Sequence, residues 1–189
     1  MGFTLIELMF TMAIAGTLTA MAIPSGLRIL DDQRTGNAAR YLAQRLGYAR
    51  MDAIRRSTFF GLRFEAGPDD YTFTSVADGN GNGLRTSDIL RGIDRTIGQP
   101  ECLTWNFPGV RFGILPGVPD ADGQPVDAPD GVRAGASQII SMNPNGSSSS
   151  GTLYLHGRQR AQYAVRVLGA TGRIRTLKYV EPAGRWVDQ

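Results

Sequence analysis

Residue types that usually carry chemistry are almost missing from this chain. Its 189 residues hold one cysteine, Cys102, and one histidine, His156. One thiol cannot form a disulfide within the chain, which leaves its redox compartment open. One Cys and one His cannot furnish a zinc cluster, and a Ser-His-Asp set would have to use His156. Cys102 is expected to be a buried small residue and His156 a surface or strand residue; the chain is expected not to be an enzyme. Lysine also occurs once, as Lys178, so arginine carries nearly all the positive charge. That usage can follow genome composition alone, though arginine also suits phosphate contacts. The glycine-rich run GNGNG is short, acidic and not followed by lysine, which excludes a nucleotide-hydrolase phosphate loop. There is no internal repeat.

Charge is also missing from the first 24 residues, MGFTLIELMFTMAIAGTLTAMAIP, except at Glu7. Phe3 to Pro24 would make a helix of about 33 Å, enough to cross the hydrocarbon core of a bilayer. A carboxylate inside such a helix is costly, so Glu7 needs a counter-charge and a function. A cleaved secretory signal fits poorly, because the run is long and lacks a basic start and a small-residue cleavage site. A plain membrane anchor is the simpler alternative.

Gly2 followed by FTLIE (Phe3 to Glu7) resembles the N-terminus of type IV prepilins and type II secretion pseudopilins. The resemblance implies that a prepilin peptidase cuts between Gly2 and Phe3 and that the new amine on Phe3 is methylated. It also makes Glu7 the fifth mature residue and Pro24 the helix-kinking proline of many pilins. The counter-charge for Glu7 is then the Phe3 amine, in the family that of a neighbouring subunit, and the pair sets register between packed helices. Before assembly the same pair can form within one chain or at the membrane surface. Family leaders carry several residues with Lys or Arg before the Gly, where only Met1 and Gly2 stand here. The orienting charge is thus missing from this sequence, either because the true start lies upstream or because the leader is trimmed.

Charge is uneven along the chain. Residues 1–63 hold 8 Arg against 4 acids, 64–156 hold 5 Arg against 11 acids, and 157–189 hold 6 Arg and Lys178 against 2 acids. Past Pro24, Ala38, Leu42, Leu46, Ala49 and Ala53 recur at spacings of 4, 4, 3 and 4, one apolar face of a helix. Asp31, Asp32 and Gly36 form a weak point where the helix is expected to bend or break. The helix should end near Ser57. Strands are expected at 58–64 and 71–76, with PDD as the turn between them, and at 110–114, 136–142, 151–156, 161–168 and 173–180. The loop 116–135 reads as mobile and the NPNGSSSSG run (Asn143 to Gly151) as a turn of little order. Trp105, Trp186, Phe107, Phe112 and Tyr179 read as core or rim aromatics.

A long helix leading into a strand-rich domain is similar to the GspH/FimT branch of pseudopilins. Its helix-end motif resembles ARMDAIRR (Ala49 to Arg56). Its acidic loop resembles DGNGNG with SDILR (Ser87 to Arg91), and its final strands resemble NGSSSSGTLYL through TGRIRTLKY (Asn145 to Tyr179). The implied fold class is α+β: a pilin-like long N-terminal helix packed on antiparallel β-sheets. The organisation is a residual leader at 1–2, a transmembrane and polymerisation helix at 3–27, an amphipathic half at 28–57 and a periplasmic β-rich domain at 58–189. The implied role is a minor pseudopilin of a type II secretion pseudopilus, held in the inner membrane by one pass. Its partners would be other pseudopilins or pilins, the inner-membrane assembly platform and the prepilin peptidase.

Two constellations could add chemistry. Asp78, Asn80, Asn82 and Gly83 form D-x-N-x-N-G, the start of a calcium loop; Ile89 stands where the chelating carboxylate belongs, with Asp88 one residue early. The bland reading is a polar turn with no cofactor. Arg173 and Arg175 share one face of a strand, and Arg158 and Arg160 form a second pair. With Lys178, and with Arg166 and Arg185 nearby in sequence, they would make one basic patch able to hold phosphates. Gly172 to Arg175 also matches the Gly-Arg-x-Arg motif with which some FimT-type minor pilins bind DNA in natural transformation. The alternative function is therefore a DNA-binding type IV minor pilin, and the bland reading is a solvated edge strand.

Overall fold

The computed structural model describes residues 4–126 and 130–189. Gly2 and Phe3, where processing is expected, lie outside the described residues. Pro24 falls within the first helix, and its side chain lies outside the described set.

The helix α1 runs unbroken from Leu5 to Arg56, 52 residues, or about 78 Å. Thr4 caps its start, and Ser57 closes it in a left-handed conformation, φ 51°, with its N–H returning to the last turn. The expected break at Asp31, Asp32 and Gly36 does not occur. Both carboxylates point away from the α1 backbone into bonds with the domain, and Gly36 lies flat against the Tyr163 ring. Tertiary contacts thus hold helical a stretch that local propensity disfavours.

Two antiparallel sheets follow. The first has the order β3-β2-β1-β6, from β1 (Phe60–Ala66), β2 (Tyr71–Ala77), β3 (Arg95–Cys102) and β6 (Ile139–Met142). The second has the order β10-β9-β8-β7-β4, from β4 (Arg111–Phe112), β7 (Gly151–His156), β8 (Gln162–Leu168), β9 (Arg173–Val180) and β10 (Arg185–Asp188), while β5 (Val132–Arg133) also pairs with β7. Two short helices, α2 (Thr86–Leu90) and α3 (Leu103–Asn106), flank β3. Sequence reading missed β3 because Gly98 and Pro100 interrupt it. At the edge of a sheet a proline costs no ladder bond, and β3 holds that edge.

The apolar face of α1 read from sequence is the spine of the core. Ala38, Leu42, Leu46, Ala49 and Ala53 are buried against Phe60, Leu62 and Phe64 of the first sheet and Leu155, Val165 and Val167 of the second. Alanines in that stripe let the helix sit close to both sheets. A second, smaller cluster lies on the other face of the second sheet, where Ile114 and Val118 cover Tyr154, Ala164 and Leu177. The described residues of the loop expected to be mobile include packed ones: Trp186 donates Nε1–H to Pro119 O at 3.1 Å, and the ring lies 5.8 Å from Tyr154. The serine-rich run is ordered too. Asn143 N–H reaches Ser147 O at 2.8 Å, and Ser148 N–H reaches Gly169 O at 2.8 Å.

Polar contacts fix the register of α1 on the domain. Asp31 accepts the N–H groups of Arg158 (2.8 Å), Gln159 (2.7 Å) and Ala161 (3.4 Å). Asp32 pairs with Lys178 at 2.6 Å and accepts from Tyr163 OH at 3.1 Å. Glu101 receives both the Tyr41 hydroxyl and the Arg45 guanidinium. Arg50 donates to Gly146 O at 3.0 Å and Thr171 O at 3.1 Å, so three motifs far apart in sequence meet at one guanidinium. Asp31→Ala would strand three N–H groups beside the helix. It is expected to destabilise the domain by roughly 3 kcal/mol, read as a lower denaturation midpoint of the full chain in detergent; an unchanged midpoint would remove Asp31 as the register residue.

Candidate functional site

The first functional element is the exposed half of α1. Leu5, Met9, Phe10, Met12 and Leu18 are each at least 63% exposed, and no part of the most apolar stretch is buried. Among the described residues α1 is the one helix long and apolar enough to cross a membrane. Within that surface Glu7 takes part in a capping box. Its Oε2 accepts Thr4 N–H at 2.9 Å and the Thr4 hydroxyl at 2.7 Å, while its own N–H reaches Thr4 Oγ1 at 3.4 Å. The carboxylate expected to wait for a cation is thus held by its own chain, and T-x-x-E at positions 4 to 7 is the sequence signal for it.

The second element is the set of arginines, and the structure separates what sequence reading joined. Arg158 and Arg160 sit on the turn bonded to Asp31. Arg173 follows Thr171 and Gly172, which lie against Arg50. Asp31 and Arg50 are 19 residues apart on one unbroken helix, about 28 Å along it. The expected single basic patch is therefore two groups at opposite ends of the domain. Lys178 joins neither, since it faces α1: burial pulls its pKa down, but the Asp32 hydrogen bond and charge outweigh this and raise it.

Most of these cations already have partners. Arg160 meets Glu181 at 2.9 Å, Arg166 meets Asp122 at 2.7 Å and Arg175 meets Asp188 at 2.5 Å. The Arg175 hydrogen bond holds the Asp188 carboxyl below the usual range. Arg166 and Arg175 stand directly opposite in register, and Arg133 faces Thr152 on the next strand, pairing with Asp120 at 2.9 Å. The result is a cross-strand row of arginines, each neutralised by a carboxylate. Among the described residues Arg158 and Arg173 form no ion pair. Gly172 has a structural task in the Gly-Arg-x-Arg match: it has φ 60°, and a Cβ there would lie 2.2 Å from Gly146 O.

The third element is the Asp78 loop. Asp78 Oδ1 accepts the N–H groups of Asn80 (2.9 Å) and Gly81 (2.8 Å), and Oδ2 that of Gly83 (2.8 Å). Asp94 accepts from Gly79 and Arg85 across the loop. Asp88 receives the Asn82 and Asn80 amides; these bonds, Asn82 first, hold its carboxyl below the ordinary value. The carboxylates of the candidate calcium ligands Asp78 and Asp88 thus face N–H donors, the surroundings of a closed polar turn. No group of three or more His, Cys, Asp or Glu suited to a metal occurs among the described residues.

Other residues fall into place around these elements. Cys102 is buried with Sγ 3.0 Å from Thr104 Oγ1, and His156 is a strand residue. His156, Arg111, Arg158, Asp69 and Thr104 line a cleft of about 550 Å³. Beside it, burial pushes the Asp70 carboxyl up even though Tyr71 and Phe112 donate to it. Trp105 departs from the core or rim role expected of it, being 68% exposed on the short helix α3. With the Asp78 loop closed by N–H groups, the melting temperature is expected to be the same in calcium and in chelator. A rise on adding calcium would place the ion in the loop.

The chain is similar to known proteins. The 73-residue match to the Pilin-like protein PilA1 of Thermus thermophilus is 42% identical; it covers 37% of this chain and 44% of that protein's length. Two structures of the minor pseudopilin EpsH from the type II secretion system of Vibrio cholerae align with TM-scores of 0.48 and 0.46, at 16% and 17% identity. Each alignment covers 77% of this chain, and 97% and 94% of the respective EpsH chains. The family model described as Type II transport protein GspH matches residues 38–172, from the core face of α1 to the glycine before Arg173. The chain belongs to this GspH family of pilin-like pseudopilins.

Proposed function

We propose that this chain is a minor pseudopilin subunit of a type II secretion pseudopilus, one that assembles through α1 and helps protein export. The observation that carries this reading is the division of α1 into an apolar half bearing Glu7, exposed among its described residues, and a half built into the domain core. Among the described residues the first half packs against nothing else in the chain, and lipid or the equivalent helices of neighbouring subunits suit its apolar surface. In this reading prepilin peptidase cleaves between Gly2 and Phe3, the Phe3 amine is methylated, and the segment spans the inner membrane with the domain in the periplasm. Assembly then exchanges Thr4 for the amine of a neighbouring subunit as the partner of Glu7. The charge pair satisfies the carboxylate in an apolar filament core, where Thr4 alone leaves it ionised and uncompensated. The chain performs no chemistry of its own and serves as substrate for its processing enzymes. Glu7→Ala is expected to leave membrane insertion intact and to cut incorporation into filaments, measured by shearing and immunoblot. Filament yield equal to wild type would sink the register role.

A second reading, a type IV minor pilin that binds DNA in natural transformation, rests on Arg173. It is exposed, follows Gly172 as in Gly-Arg-x-Arg, and forms no ion pair among the described residues, although its charge also acts on Asp188. Arg175 next to it is already paired with Asp188, so this end offers fewer free cations than the sequence suggests. A mobility shift of the full chain in detergent over a salt series separates the two readings. The secretion subunit predicts no shift at low salt. A shift that fades with salt and is lost in Arg173→Ala/Arg175→Ala would establish the DNA reading.

A further inference from the structure

The turn Gly157–Ala161 is tied to a fixed height on α1, and that height is set against the membrane. Asp31 takes three N–H groups of the turn. Gly157 is packed so closely that a Cβ would lie 2.4 Å from the Asp31 oxygens and 2.5 Å from Thr35 Oγ1. The turn therefore cannot slide along the helix. With the membrane-spanning segment read as residues 3–27, Arg28 stands at its edge, and Asp31 is three residues beyond, about 4.5 Å along the axis, within the 5–7 Å or so that headgroups occupy on each side of a bilayer.

The apolar surface of α1 continues to the residue before Asp31. Leu27, Ile29 and Leu30 are 50%, 59% and 47% exposed. Water would leave this apolar surface uncovered just beneath the domain, whereas a membrane surface reaching Asp31 covers it.

The charges at this level favour an anionic surface. Arg28, Arg34, Arg158 and Arg160 are all exposed. The opposing acids are Asp31, consumed by the turn; Asp32, consumed by Lys178 and Tyr163; Glu181, which meets Arg160; and the exposed Asp69, which lines the cleft beside Arg158 together with the cation Arg111. The Arg160–Glu181 pair is 63% and 64% exposed, so water screens it and it yields readily to phosphate. The backbone adds an independent sign. Arg160 holds a left-handed conformation, φ 71°, where glycine or asparagine would be less strained.

We propose that the Gly157–Ala161 turn is a membrane-docking element: Arg158 and Arg160, with Arg28 on the helix below, bind the phosphates of anionic phospholipids and seat the domain on the bilayer. This rests on the reading of the first half of α1 as membrane-spanning. Guanidinium groups suit the task because their paired N–H donors match phosphate oxygens. Extraction into a filament then has to break these contacts as well as move the helix.

The test uses the full chain in lipid nanodiscs, with Cys102→Ser removing the native thiol and a nitroxide placed at Gln159→Cys, Leu18→Cys or Asn145→Cys. Collision with oxygen and with a water-soluble nickel chelate reports depth. In nanodiscs containing phosphatidylglycerol, the Leu18 label is expected in hydrocarbon, the Asn145 label in water and the Gln159 label at headgroup depth. Arg158→Ala/Arg160→Ala should lower the docked-to-undocked ratio by roughly an order of magnitude and move the Gln159 label to water, as should nanodiscs of phosphatidylcholine alone. Arg173→Ala/Arg175→Ala, at the far end of the domain, should leave it in place. A Gln159 label in water on anionic nanodiscs, or one at headgroup depth that ignores the loss of Arg158 and Arg160, overturns the docking role. A Leu18 label in water overturns the membrane reading beneath it.

Discussion

Asp31 stands where α1 changes solvent. Before it, exposed leucines and isoleucine suit lipid or other helices; beyond it, one face of the same helix is buried against two sheets. A single unbroken helix serves both because Asp31 and Asp32 direct their carboxylates to the domain. Apolar burial supplies most of the affinity between helix and sheets, but apolar contact alone tolerates sliding. The polar contacts at Asp31, Asp32, Arg45 and Arg50 set the axial position, each binding a different segment of the domain. A displacement by one helical turn would leave several buried or half-buried polar groups unpaired, which costs more than the contacts themselves contribute.

That fixed axial position gives the domain one end next to the apolar half of α1 and another at the far end of the helix. The Gly157–Ala161 turn and Lys178 lie near the first; Gly146, Gly172 and Arg173 lie near the second. The arginines of the C-terminal stretch are thus distributed by the β8–β9 hairpin, whose length carries Arg173 away from Arg158. On the outer face of the second sheet, Asp120, Asp122 and Asp188 meet Arg133, Arg166 and Arg175. Of these pairs only Asp122–Arg166 ties the acidic middle of the sequence to the basic end; Arg133–Asp120 lies within the middle and Arg175–Asp188 within the end, so each block also neutralises part of its own charge. This limits the DNA reading to a small surface and leaves assembly through α1 as the property with the broadest physical basis.

Much of the fold was legible. The stripe Ala38, Leu42, Leu46, Ala49 and Ala53 marked the buried face because helical period and apolarity agree. The β1–β2 hairpin and the strands β7, β8 and β9 were legible because β-branched and aromatic residues alternate between clear turns. The edge strands β3 and β10 were not. Their side chains are mostly exposed, so no hydrophobic period marks them, and β3 contains Gly98 and Pro100. The loop over the second core cluster also escaped, since its burial depends on Trp186 and Tyr154, residues distant in sequence. Arg50 was recognised only as part of a motif; its carbonyl partners lie 96 and 121 residues away.

By itself the sequence determined the apolar run, the place of Glu7 within it, the helical face that continues beyond it and membership of the pilin-like class. Each of these is local: it depends on residue type at a short spacing, and a helix or strand expresses such spacing directly. Tertiary structure alone decided which charges remain free, because every ion pair of the arginine row joins strands or loops separated by a turn or more of chain. It also decided that two aspartates in mid-helix are supports rather than breaks. Local propensity counts only a residue's cost to its own helix, whereas Asp31 and Asp32 are stabilised by partners more than a hundred residues away.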